Sequence, residues 1–282
     1  MPDLPVERRE KFEQLMPAMF DTITRLVTTN DELTSSVEGV ECIMMEAMIQ
    51  NHTGKLHHAW RAVRRAMTVG EILGLHRNQP LPPEKFLDPK TRSEFDADQF
   101  CFHIVCMDRY LSLTLGLPHA SQLSYAIMPE QLIAFQPIDR MARLQSQIGE
   151  RLLRRAKNDF AETREIDRLL LEAAAQMPHQ WWLIPDSNFL QDTQQDHGQT
   201  IARFNWQLSH YHMLLRLYLP YVLRTADEAD HARGKRIAWT ASRELLSRYL
   251  AFRAWNSSRY YCRGIDFIAL IALTVLCVAQ ID

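Results

Sequence analysis

Leu56-His-His-Ala-Trp-Arg-Ala-Val-Arg-Arg-Ala-Met67 decides the fold class of this 282-residue chain. Leu56, Trp60, Val63 and Met67 fall at offsets that put four apolar side chains on one face of a helix. Arg61, Arg64 and Arg65 occupy the opposite face, where the expectation is solvation by water. Asn51, His52, Thr53 and Gly54 make a turn before this segment, and Val40 to Ile49 supplies an apolar partner helix just upstream. The pair is a helical hairpin. Gly74 follows Leu73 where a left-handed C-terminal cap belongs, and Pro80, Pro82 and Pro83 then mark an extended loop.

The same periodicity recurs along the chain, without convincing alternation of the strand type. Residues 96–115 form a second hydrophobic helix, with Phe100, Ile104, Met107 and Leu111 facing inward and Gly116 and Pro118 as its stop. Further helices are expected over 138–160, 163–175, 200–223 and 237–254, with polar residues 186–199 and charged residues 225–235 as loops. The apolar run from Phe267 to Ala279 is shorter than the roughly 20 residues a bilayer-spanning helix needs, so it reads as a buried helix. The fold class is all-α, an irregular multi-helix bundle with amphipathic hairpins. Only 9 glycines occur, which disfavours α/β folds that need glycine at phosphate loops and strand-to-helix turns.

With 46% hydrophobic residues the chain can bury a sizeable core, as one large domain or two tightly packed subdomains. Its net charge of -2 lacks the basic excess that grips DNA nonspecifically. Cys42, Cys101, Cys106, Cys262 and Cys277 are odd in number and show no C-x-x-C pair, the pattern of a reduced, intracellular protein. Residues 1–20 contain no signal-peptide core.

Several blocks together resemble a known family. Gly39-Val-Glu-Cys-Ile-Met-Met-Glu-Ala, Asn51-His-Thr-Gly, Ala59-Trp-Arg-Ala-Val-Arg-Arg-Ala and Leu73-Gly-Leu-His-Arg are similar, in order and spacing, to the fungal-specific transcription factor domain, or middle homology region. Met107-Asp-Arg-Tyr-Leu-Ser-Leu, Leu115-Gly-Leu-Pro, Met177-Pro-His-Gln-Trp-Trp, Leu219-Pro-Tyr-Val-Leu-Arg, Ala241-Ser-Arg-Glu-Leu-Leu and Cys262-Arg-Gly-Ile-Asp-Phe resemble its later blocks. The resemblance implies that residues 1–282 are a single regulatory domain, truncated at one or both ends. It implies a nuclear zinc-cluster transcription regulator acting through coregulator proteins or a small-molecule effector, with a homodimer allowed and no membrane partner. The family's six-cysteine zinc module is not matched here, so zinc and DNA contact are expected only through that missing N-terminal module, with no cofactor in this chain. The alternative is an orphan helical interaction scaffold without direct DNA binding.

Trp60 is expected in the core. Arg64 and Arg65 could meet an acidic partner or line a solvated face. Asp108 and Arg109, as sequence neighbours, cannot face each other on one helix, so each is expected to pair with another helix. Trp181 and Trp182 could line a pocket for an aromatic or hydrophobic effector, or seal a core at a helix end. Asp227-Glu-Ala-Asp-His231 spells a helicase-like string without any phosphate loop, and Glu228 with His231 gives one E-x-x-H pair where a di-iron bundle needs two. His210 and His212 point to different sides of a helix, and Cys101, His103 and Cys106 lie in an apolar segment ill-suited to a metal. With neither a G-x-S-x-G elbow nor an H-E-x-x-H pair, no catalysis is expected.

Overall fold

The computed structural model describes residues 15, 17–77, 79–120, 135–155, 160–185, 197–222, 229–256 and 261–278. Among them no strand occurs, and the fold is all-α. No helix among the described residues is long and apolar enough to cross a membrane. The chain divides into two compact units: residues 1–111 with 120–123, and residues 112–119 with 124–282.

The first unit is built on a hairpin of α1, Val37–His52, and α2, Leu56–Leu73. Ser36 starts α1 in the extended conformation, its hydroxyl accepting a hydrogen bond from the Gly39 amide at 3.1 Å. Val37, Val40, Ile43, Met44 and Ala47 bury one stripe of α1. Thr53, Gly54 and Lys55 turn the chain, Gly54 at φ 81° and Lys55 donating back to the Gln50 carbonyl at 2.8 Å. On α2, Leu56, Ala59, Val63, Ala66 and Met67 face inward, and Gly74 caps the helix at φ 89°.

Gly39 is fixed by close approach: a Cβ there would come within 2.5 Å of Thr34 Cα and 2.8 Å of the Leu33 carbonyl oxygen. The 3-10 turn Pro83–Lys85 leads into α3, Pro89–Glu94, capped by the Asp88 carboxylate on the Lys90 amide. Glu38 of α1 accepts the backbone amides of Leu87 and Asp88, pinning this loop to the hairpin.

Next comes α4, Ala97–Leu115. Ile104 and Leu111 are buried as the periodicity requires, but Phe100 and Met107 are only partly covered. Cys101, Phe102, Val105, Asp108 and Arg109 are buried too, so burial extends well beyond one apolar stripe.

The second unit contains α5, Pro137–Arg154, α6, Phe160–Ala174, the single turn α7, His179–Trp182, and the long pair α8, His197–Val222, and α9, Ala229–Trp255, followed by α10, Gly264–Val278. Phe204, Leu208, Leu215, Leu245, Phe252 and Ile268 form its core with Ile166 and Leu170 of α6. The expected loop over 225–235 is shorter than its charge suggested, because residues 229–235 are already helical. His231 and Gly234 turn inward there, His231 against Phe160 and Tyr221, while Ala232 and Arg233 remain exposed. The terminal helix is also less buried than expected. Ile265, Ile268, Ala269 and Ala272 are covered, whereas Phe267, Leu270 and Leu273 are exposed, because α10 packs on α9 along one side only.

Replacing Gly39 with Ala forces a methyl group into backbone atoms that cannot rotate away. The Gly39→Ala chain is expected to lose about 1–3 kcal/mol in urea unfolding followed by helical circular dichroism, with its helix content unchanged before the transition.

Candidate functional site

Trp181 and Trp182 are both half-buried at the end of α7. A one-turn helix has almost no ladder of its own, so its carbonyls need outside donors. Side chains from the two long helices supply them. Arg203 of α8 donates to the carbonyls of Trp181 at 2.8 Å, Gln180 at 2.9 Å and Leu183 at 2.8 Å. Gln207, one turn on, donates its side-chain amide to the Trp181 carbonyl. Arg248 of α9 donates to the Trp182 carbonyl at 2.6 Å.

Arg248 is the centre of this arrangement. Its side chain is only 4% exposed, and it also holds the Gln207 amide oxygen at 3.1 Å and the Glu244 carboxylate at 2.6 Å. Its guanidinium lies 4.4 Å from the Tyr211 ring centre, a cation–π contact. The Trp182 indole N–H donates to the Ala174 carbonyl at 3.0 Å, and the ring packs on Trp181 and His210, both at 4.8 Å between centroids. The tryptophan pair thus ties α6, α8 and α9 together.

His210 and His212 diverge on α8 yet both are buried. Burial, helped by the Arg248 charge, pulls the His210 pKa down to about 4. Burial, helped by Arg216, pulls His212 down to about 3. Both rings are neutral at neutral pH.

Most of the other sequence candidates fall within the first unit. Arg64 does not lie on a solvated face: it forms an ion pair with Asp108 of α4 at 2.8 Å, and Asp108 is fully buried. The spacing hid this because the acid lies 44 residues away in sequence. Trp60 is half-buried rather than fully in the core, its ring carrying the Arg64 guanidinium at 4.6 Å. Arg65 pairs with Glu46 across the α1–α2 hairpin at 2.6 Å. Arg109 is buried, as Asp108 is.

Cys101 is buried, its thiol donating to the Leu75 carbonyl, while His103 is exposed beside Gln99. No group of three or more His, Cys, Asp or Glu side chains among the described residues could hold a metal ion. Asp227 and Glu228 lie outside the described residues. Sequence reasoning missed Arg203, Gln207 and Arg248; Ala241-Ser-Arg-Glu-Leu-Leu stops two residues short of Arg248, and nothing in the spacing links that helix to the tryptophans.

Arg248→Met removes the donors to Trp182, Gln207 and Glu244 together. Each charge-assisted hydrogen bond is worth about 1.5–3 kcal/mol, so a loss of about 3 kcal/mol is expected in urea denaturation, with red-shifted tryptophan emission. Glu244→Gln, which alters a half-exposed acid, is expected to cost under about 1 kcal/mol.

The two buried histidines set an acid dependence. Unfolded rings titrate near pH 6.5 and the folded rings well below it, so the unfolded chain binds more protons as pH falls through that window. Stability is therefore complete above about pH 6.5. Between pH 6.5 and 5 it is expected to drop by about 1.4 kcal/mol per histidine for each pH unit, and His212→Leu is expected to flatten the slope measured by urea titration at several pH values.

No protein-family model matches the chain, and no solved structure matches it. Curated relatives do. The chain is 37% identical over 292 aligned positions to the dehydrocurvularin biosynthesis regulator of Alternaria cinerariae, an alignment covering 100% of this chain and 38% of that protein. It is 36% identical over 275 positions to the protein of the same name from Aspergillus terreus, covering 95% of this chain and 38% of that one. It is 30% identical over 285 positions to transcription factor sdnS of Sordaria araneosa, covering 98% and 36% respectively. Over nearly its whole length the chain is therefore similar to fungal proteins named as biosynthesis regulators and transcription factors, while spanning less than two fifths of each.

Proposed function

We propose that this chain is the regulatory, middle-homology portion of a fungal zinc-cluster transcription factor that acts in the nucleus on transcription by RNA polymerase II. The observation that carries this reading is the 37% identity to a named biosynthesis regulator across the full chain. In this reading DNA is held by a zinc module outside these residues, in keeping with a net charge of -2 that gives little pull toward phosphate. Regulation runs through a coregulator or a small effector that binds one arrangement of the helices better than another. A tenfold shift between two states needs a difference of only about 1.4 kcal/mol.

Within this reading we assign Trp181 and Trp182 as the place where an aromatic or hydrophobic effector acts. Both rings are half-buried, and their carbonyls are held by three side chains from α8 and α9, so a ligand displacing either ring would be felt along both long helices. The orphan-scaffold reading draws on a different feature, the exposed Phe267, Leu270 and Leu273 of α10, which suit protein contact.

Fusion of residues 1–282 to a foreign DNA-binding domain separates the two. A regulatory domain is expected to raise or lower a reporter at least fivefold relative to the DNA-binding domain alone, and Trp182→Ala is expected to reduce that effect. An unchanged reporter, with the fusion present at equal level, would leave the scaffold reading standing.

A further inference from the structure

Residues 79–95 of the first unit lead from the end of the hairpin to α4 and carry the turn Pro83–Lys85 and the short helix α3. None of these residues is buried, and Leu87 is 72% exposed. Apolar burial therefore does little to hold the segment down. Several of its hydrogen bonds are internal: Lys85 to Pro82, Phe86 to Pro83, Lys90 and Arg92 to Asp88, and Ser93 to Lys90.

Among the described residues, the hydrogen bonds that tie the segment to the rest of the unit end on one side chain. The Glu38 carboxylate of α1 accepts the Leu87 amide at 3.0 Å through both oxygens, the Asp88 amide at 3.1 Å, and a bond from the Thr91 side chain. Burial would raise the Glu38 carboxyl, but backbone amides, that of Leu87 foremost, and Thr91 outweigh it and hold the group below its ordinary range. The acceptor is therefore charged at neutral pH and its bonds are the strong, charge-assisted kind.

Aromatic edges supply the second contact. Phe95 lies edge-on to Phe86 within the segment at 5.6 Å and to Phe100 of α4 at 5.4 Å. All three rings are half-buried, so lifting the segment uncovers Phe100 together with the two rings that leave it. The core of the hairpin, with Val40, Ile43, Val63 and Met67, contains no residue of the segment. Regions with few buried apolar contacts open at a lower free-energy cost than the core beneath them.

We propose that residues 79–95 form a strap, latched by Glu38, that masks the Phe100 face of α4 and opens as one piece while the α1–α2 hairpin stays folded. The proposal goes beyond the regulatory reading and does not depend on it, because a strap can open whatever the domain controls.

The test is hydrogen–deuterium exchange of the 282-residue chain at neutral pH, read by mass spectrometry on peptides of the strap and of the hairpin. Glu38→Gln keeps the side-chain size but loses the charge and one acceptor oxygen. It is expected to speed exchange over 79–95 at least tenfold, with exchange over 40–52 and 56–73 unchanged. Tryptic cleavage after Lys85, Lys90 and Arg92 is expected to rise in parallel. Glu41→Gln, one helical turn along α1 and without a bond to the strap, is expected to match the wild type. Phe95→Ala, which leaves α1 untouched, is expected to speed exchange over the same segment. Any of four results would overturn the proposal: strap amides at Leu87 and Asp88 that exchange in the wild type as fast as in an unfolded chain; a Glu38→Gln or Phe95→Ala strap as protected as the wild type; an equal effect from Glu41→Gln; or a Glu38→Gln chain whose hairpin loses protection along with the strap.

Discussion

A guanidinium removed from water must find oxygens, and in the second unit Arg248 finds three kinds at once: a backbone carbonyl, a side-chain amide and a carboxylate. Those bonds fix the distance between α9 and the single turn of α7, and Gln207 carries the restraint to α8. Burial of Trp182 against His210 and Tyr211 follows from that geometry. Apolar packing around Phe204 and Phe252 supplies the bulk of the driving force, since buried area sets its size. Packing alone, however, tolerates many arrangements of similar volume. The hydrogen-bonded arginine selects one of them, which is the role that directional bonds have in a core that oily contacts would leave degenerate.

The first unit uses the same device with the signs exchanged. Asp108 is the group taken wholly out of water, and Arg64 reaches it from α2 while lying over Trp60. Asp108 also accepts the Ala120 amide at 3.0 Å, so one oxygen is hydrogen-bonded and the other ion-paired. The half-exposed position of Trp60 is a consequence: the ring forms one wall of the path along which the arginine approaches the acid.

Legibility in the sequence tracked locality. The α1–α2 hairpin was readable because Leu56, Val63 and Met67 repeat within one helix and Gly74 marks its end by a local backbone demand. The start of α9 was misplaced because Ala229 to Lys235 is charged, and only the rings of Phe160 and Tyr221, distant in sequence, reveal that His231 belongs inside. The exposed side of α10 was hidden for the opposite reason: a uniformly apolar run carries no periodicity from which to tell a covered face from a bare one. At the candidate site Trp181 and Trp182 stood out by residue type, whereas Arg203 and Arg248 did not. Surface arginines are common, and what distinguishes these two is a contact across 20 to 66 residues.

The three-residue turn at Thr53, Gly54 and Lys55 has a kinetic meaning. Joining α1 to α2 through so short a connection makes their contacts local in sequence, and loop closure of that length costs little chain entropy. Domains dominated by such contacts fold fast. The hairpin can close as soon as Leu73 has cleared the ribosome, giving later segments of the unit a preformed apolar face on which to collapse.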